Sequence, residues 1–534
     1  MPYYERQPYI MPVYQLLQEV IDGDIRVPRF QRSGTETTWK SEQRGDLLDS
    51  IYRAFPVGTI LLWHTDEAIA TLDKVGRFLI PKAKQAHQRL VLDGHQRLST
   101  LVYILGAAFG EPHIEPGEEE AECWVFDVSE PKSETKTSRE RFILLRPGEK
   151  PDDTQLPLSI ALSRVKLNEW IRNHDQLTEA SIQLVDGLRD KLREYNIPIA
   201  VLAADSLEDA AESFKRVNAS GTPMSLFNMA AALAYTNEFD LIETIEEQKD
   251  ELLAPLGWND VDGKQLLQVV AGILRSQGDN AQHPLRLNVD KLAKTIRDNQ
   301  SLLRDAVLAV ADAAVAFRTI GIFGPKILPR SIQFTILSVF LNRYKQIETD
   351  VLSRWFWLTT YGHVFRSLNS SVYDRAYEAL EQLSKGHGPD AMEKYISGEV
   401  KPLGKSDFRA VRTKAYLLAM AYVQDKGRLS GAAHKALAKD GAEALEVLVS
   451  GGKRSNWHQL AILTPDLSLK EVRDMLARFE EHETSLEEDD ILGALGIDRS
   501  WGGKSVDDIL TYRRELIEQR EQEIVDSLGL SWVS

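Results

Sequence analysis

Arg89-Leu90-Val91-Leu92-Asp93-Gly94-His95-Gln96-Arg97 is the stretch on which the reading of the first half of the chain turns. A short apolar run of buried-strand type leads straight into Asp-Gly, and an amphipathic segment over roughly 96–106 follows. Strand, tight turn and helix are therefore expected in immediate succession. Gly94 is the residue that lets the backbone reverse there, because it tolerates positive φ and close approach. The helix that starts beyond it would aim its unpaired N–H groups and positive dipole end at whatever lies above the turn, an arrangement that favours anions such as phosphate. Arg97, in the first turn, is placed to add a bidentate phosphate contact. Asp93 is suited to hold a metal ion, orient a water or accept a ribose hydroxyl, and His95 to donate a hydrogen bond or shuttle a proton.

Outward from this turn, the first half mixes strands and helices. Helices are predicted at 13–21, closed by Gly23, and near 41–54, closed by Pro56; strands at 59–63, 89–92, 122–128, 141–145 and 197–203. A helix at about 207–218 precedes a Ser220-Gly221-Thr222-Pro223 break. From about 226 the pattern is helix after helix: 226–236, 238–253, 263–276, 287–298, 300–318, 330–345, 347–358, 371–384, 408–424 and 505–527.

Two further segments share the chemistry of the Asp-Gly turn. Val27-Pro28-Arg29-Phe30-Gln31-Arg32 supplies Gln31 and Arg32 after a short strand. Phe214 to Pro223 supplies the cations Lys215 and Arg216, the polar helix end Asn218 and a Gly221-Thr222 turn with exposed amides. Each segment alone reads more readily as a structural salt bridge or an ordinary turn. Three of them in one α/β unit set an anion-binding pocket beside that reading.

The set Pro28-x-Phe30-Gln31-Arg32, Leu92-Asp93-Gly94-x-Gln96-Arg97 and Phe214-x-Arg216-x-Asn218-x-x-Gly221-Thr222-Pro223-x-Ser225, in this order, resembles the N-terminal domain of GmrSD-type restriction endonucleases, within the ParB/sulfiredoxin-like superfamily. The resemblance covers about residues 8–235 and implies a ParB-like nucleotide-binding domain over 1–235; the helical run beyond it, broken by the glycine- and proline-marked stretch 386–406, reads as a helical middle domain over 236–385 and a helical C-terminal domain over 386–534 whose HNH nuclease site is degenerate or absent, an α+β chain as a whole. It further implies a bacterial antiphage role, with Mg²⁺ and nucleoside triphosphate in the pocket and modified or phage DNA as target. Asp93, His95, Gln96 and Arg97 are then the catalytic candidates, with Gln31, Arg32, Gly94, Lys215, Arg216, Asn218, Gly221 and Thr222 binding the nucleotide. His95 stands where Gln is commoner in the family, and Phe30 replaces the usual Tyr.

Composition adds constraints. A formal net charge of -16 opposes nonspecific attraction to nucleic acid or an anionic membrane. Within that acidic chain, Lys401 to Arg454 carries eleven Lys/Arg against five acids, a local net of +6. It reads as a solvated helical surface or as a phosphate-contacting face, with Lys405, Arg409, Arg412 and Lys414 the DNA-binding candidates. One cysteine, Cys123, and no apolar run of membrane length predict a cytosolic protein with an inert thiol and no membrane partner. The eleven histidines are scattered, none adjacent to another; the nearest nuclease-like pair, Asn456 with His458, lacks a second imidazole, so no metal-ligand set is read. No Walker-type P-loop is present. Three functions follow in order: a nucleoside triphosphatase that acts on or senses foreign DNA; a non-hydrolysing recognition module that recruits a partner nuclease or another defence subunit; and a nuclease working from the N-terminal pocket.

Overall fold

In a computed structural model the described residues are 7–29, 39–66, 69, 71–81, 88–113, 123–130, 137–146, 148–202, 204, 209–210, 225–236, 238–279, 282–404, 407–454, 456–464 and 467–533. The chain divides into two compact units, Met1–Leu241 and Ile242–Ser534. The first mixes sheet and helix and the second is largely helical, which is the α+β class expected.

The first unit is organised on a five-stranded sheet. Strand β1 (Tyr9–Pro12) leads into helix α1 (Val13–Ile21), whose apolar spacing buries Val13, Leu16, Leu17, Val20 and Ile21. Strand β2 (Ile25–Arg26), helix α2 (Ser41–Tyr52) and strand β3 (Ile60–Thr65) follow. A hairpin of β4 (Lys74–Val75) and β5 (Phe78–Leu79) precedes β6 (Gln88–Asp93) and helix α3 (His95–Leu105). A separate three-stranded sheet pairs β7 (Trp124–Asp127) with β8 (Phe142–Leu144) on one side and β9 (Gln155–Pro157) on the other. Helices α4 (Arg164–Arg172) and α5 (Glu179–Glu194) then carry the chain to β10 (Asn196–Leu202), and α6 (Leu226–Ala234) comes next among the described helices.

The main sheet has the order β1-β10-β3-β6-β2. β2 runs parallel to β6, β3 antiparallel to β6, and β10 parallel to β3. Topology therefore fixes which ends meet: the chain leaves β2 and β6 at the same end of the sheet, and enters β3 and β10 there. The loop before β3 and the turn after β6 are neighbours for this reason. The core beneath them includes Ile60, Leu62, Val91, Leu98 and Leu101.

In the second unit the helices Gly263–Ser276, Ser301–Arg318, Ser331–Tyr344, Thr349–Tyr361 and Ser370–Ser384 build an aromatic core, with Trp258 stacked 4.8 Å from Phe334. Helices Val411–Gln424, Ala432–Asp440, Leu469–Glu480, Leu486–Gly493 and Val506–Ser527 follow. The expected break near 386–406 contains a 3₁₀ turn at Asp390–Tyr395 and a two-residue strand, Glu399–Val400, paired with Ser531–Trp532. None of the described helices is long and apolar enough to cross a membrane.

Candidate functional site

The site begins with a bulge. β6 pairs with β3 as Leu62↔Val91 and Leu61↔Asp93, so the register slips by one residue where Asp93 emerges. Gly94 then takes φ +89°, and a Cβ there would stand 3.0 Å from Ile60 Cγ1 and 3.1 Å from the Arg97 guanidinium. Glycine is required on both counts. Helix α3 starts at His95, its first internal bond running from Leu98 N–H to Gly94 O at 3.0 Å. The amides of its first turn therefore have no partner within the helix.

Arg97 bends back across this turn instead of projecting from it. Nη1 donates to Val57 O at 2.7 Å; Nη2 donates to Thr59 O at 3.0 Å and to Asp93 Oδ2 at 3.3 Å. Gly58, at φ +87°, clears the way: a Cβ would lie 2.3 Å from Nη1. The far side of the same loop is held by Tyr195, whose hydroxyl donates to Phe55 O at 2.6 Å and accepts from Val57 N–H at 3.2 Å. Burial raises the Tyr195 pKa, and the Val57 bond offsets part of that. The loop 55–59 is thus clamped between a guanidinium and a phenol.

Beside the clamp, His95 and Gln96 stand with their Nε2 atoms 3.3 Å apart. Burial lowers the His95 pKa, with Asp93 pulling the other way, so the imidazole is neutral near pH 7. Gln96 Oε1 is buried without a hydrogen-bond partner. The Asp93 side chain is 40% exposed, and its Oδ1 has no partner among the described residues. Among the side chains of this turn, the Asp93 carboxylate is the group whose chemistry could hold a divalent cation.

Of the sequence-predicted residues, Asp93, Gly94, His95, Gln96 and Arg97 stand together at one end of the sheet. Gln31, Arg32, Lys215, Arg216, Asn218, Gly221, Thr222 and Lys405 lie outside the described residues. Of the DNA-contact candidates, Arg409 and Lys414 line one cavity in the second unit. Arg412 does not. Its guanidinium forms a bidentate pair with the fully buried Glu521 and donates from Nε to Lys401 O, which corrects the expectation that it faces phosphate. His458 sits in the turn Trp457–Gln459 with its pKa lowered, first by burial, and Asn456 bonds Gln459 rather than a second imidazole.

Sequence reading missed Gly58 and Tyr195. Pro56 was visible as a helix stop, but nothing marked the nearby glycine as the passage for a side chain about forty residues on.

Residues 13–235 match the family model described as the GmrSD restriction endonuclease, N-terminal domain. No curated protein matches the chain.

Proposed function

We propose that this chain, whose residues 13–235 match the GmrSD restriction endonuclease N-terminal domain model, is a phage-defence protein that binds and hydrolyses nucleoside triphosphate at Asp93–Arg97 and acts on foreign, modified DNA. The observation that carries the reading is the strand–Gly94–helix turn, with a neutral imidazole and a free carboxylate oxygen beside unpaired helix-start amides. The ParB-like kinship implied by the sequence motifs belongs to the same proposal.

Each residue then has a task that its environment suits. The first-turn amides of α3 and the positive potential of Arg97 would receive phosphate oxygens. Arg97 also fixes the loop 55–59, so that loop and turn are preorganised before ligand arrives. Asp93 would hold Mg²⁺, which supplies charge neutralisation on the phosphates. His95, kept neutral by burial, would accept the proton of an attacking water, and the Gln96 amide would orient that water. Gln31, Arg32, Lys215, Arg216, Asn218, Gly221 and Thr222 would complete the phosphate and sugar contacts. In the second unit, Arg409 and Lys414, with Lys405, would meet DNA.

A second reading has its own support. The Arg97 guanidinium is committed to two backbone carbonyls and a carboxylate, which suits a rigid recognition pocket as well as a catalytic one. In that case the unit binds nucleotide without turnover and recruits a partner nuclease. Both readings require binding. Calorimetric titration of the full chain with a non-hydrolysable triphosphate and Mg²⁺ should give saturable one-site binding that Asp93→Asn weakens. Absence of binding with all four bases would end both.

A further inference from the structure

A cavity of about 1090 Å³ opens in the second unit, larger than the ~300–1,000 Å³ that small-ligand sites usually occupy. Its cations come from separate parts of the chain. Lys326 belongs to the turn Pro325–Ile327, Arg409 precedes the helix Val411–Gln424, Lys414 lies in that helix's first turn, and Lys439 closes the helix Ala432–Asp440. Two of them are already anchored: Lys326 Nζ donates to Lys439 O at 2.7 Å, and Lys414 Nζ donates to Leu328 O at 2.9 Å. Arg409 and Lys439 are exposed, and no partner of their side-chain charges exists among the described residues. Lys414 is instead partly desolvated, and burial alone lowers its pKa, so an anion brought within reach would stabilise its protonated form.

The remaining lining is not what a bare anion needs. The Phe408 ring lies 5.8 Å from Lys414 Nζ, and Leu463, Leu467 and Leu469 supply an apolar wall. Glu443 and Glu446 contribute carboxylates suited to accept from the amino and ring N–H groups of a base. Cations for phosphate, a ring for stacking and acceptors for base edges are the three elements of nucleotide recognition.

We propose that this cavity is a nucleoside-phosphate site, taking phosphate on Arg409 and Lys439 and the base against Phe408. It rests on the nucleic-acid half of the reading above and is independent of triphosphate hydrolysis. The same chemistry is offered by a free nucleotide and by an unpaired nucleotide of a DNA strand.

The test is fluorescence anisotropy of the full chain with a labelled single strand of roughly 12 nucleotides, competed by deoxynucleoside monophosphates. The Arg409→Glu/Lys439→Glu double variant should weaken strand binding at least about tenfold at low salt. Phe408→Leu, which removes the ring and no charge, should weaken it by roughly fivefold or more, within the range of one lost stacking contact. Competition at millimolar monophosphate would mark a free nucleotide as ligand; binding of the strand without such competition would mark an unpaired strand residue. Either outcome supports the site. His95→Ala should lose phosphate release yet leave strand binding intact, so the two readings fail separately. Strand binding equal to wild type in both cavity variants would overturn the proposal, as would absence of binding by the wild-type chain.

Discussion

Arg97 in the first unit and Arg412 in the second each lie in the first turn of a helix, and both were read from the sequence as phosphate contacts. Arg97 remains partly exposed, bonded to two backbone carbonyls and to a carboxylate with one oxygen still open. Arg412 is nearly closed over by protein and gives both terminal guanidinium nitrogens to a carboxylate that has no exposure at all. Tyr361, itself buried, donates to the same Glu521 at 2.9 Å. A buried carboxylate in that position demands a permanent cation, because ionisation without one is strongly disfavoured. The difference between the two arginines is therefore set by what surrounds them, and surroundings come from residues forty to a hundred positions away.

The largest effect should follow from breaking the second pair. Arg412→Ala strands Glu521 in the interior and should cost about 3–5 kcal/mol, read as a fall in unfolding free energy in denaturant. Combining Arg412→Met with Glu521→Gln, which removes both charges together, should recover much of that loss. A small effect from Arg412→Ala would mean that the residue is available to ligand after all.

Next comes the chemistry of the first unit. His95→Ala should lower kcat at least about 100-fold with little change in KM, the range of a lost general base. The pH dependence carries a defined sign. If His95 is the proposed base it acts in its neutral form, and since burial lowers its pKa the rate should fall on the acid side with a midpoint below the ordinary 6.5. Asp93 supports the protonated form, so Asp93→Asn should move that midpoint lower still.

Arg97→Ala leaves Val57 and Thr59 carbonyls without their donor and should cost about 1–2 kcal/mol, well short of the Arg412 value, because water can reach this turn. Arg97→Lys should restore little, since an ammonium lacks the planar fork that spans both carbonyls. Tyr195→Phe removes one donated and one accepted bond and should cost about 1 kcal/mol, measured in the same denaturation assay.

Periodicity and glycine punctuation made most helices legible: 13–21 and 263–276 are found at the bounds that the pattern predicts. Helices 164–172, 179–194, 432–440, 469–480 and 486–493 were not anticipated. Helix 179–194 buries Ser181, Val185, Leu188 and Leu192 at clean helical spacing, but charged neighbours and an interior glycine mask the stripe. Helix 469–480 shows the same economy, with Val472, Leu476 and Phe479 inside. The turn at Asp93–Arg97 was legible because its residues are contiguous. The loop that Arg97 grips was not, since the antiparallel β3–β6 pairing that brings it there is a property of the sheet. Nor could the cluster of positive residues over 401–454 be sorted locally: Arg409 and Arg412 are three residues apart, yet one is exposed and the other pairs inside.

Phosphate release from each nucleoside triphosphate with Mg²⁺, with and without DNA, measures whether turnover occurs at the Gly94 turn. The wild-type chain should release phosphate from at least one triphosphate, and His95→Ala should lose that release while triphosphate binding persists. Undiminished release by His95→Ala, or none from the wild type under any of these conditions, would rule out catalysis by His95 at this turn.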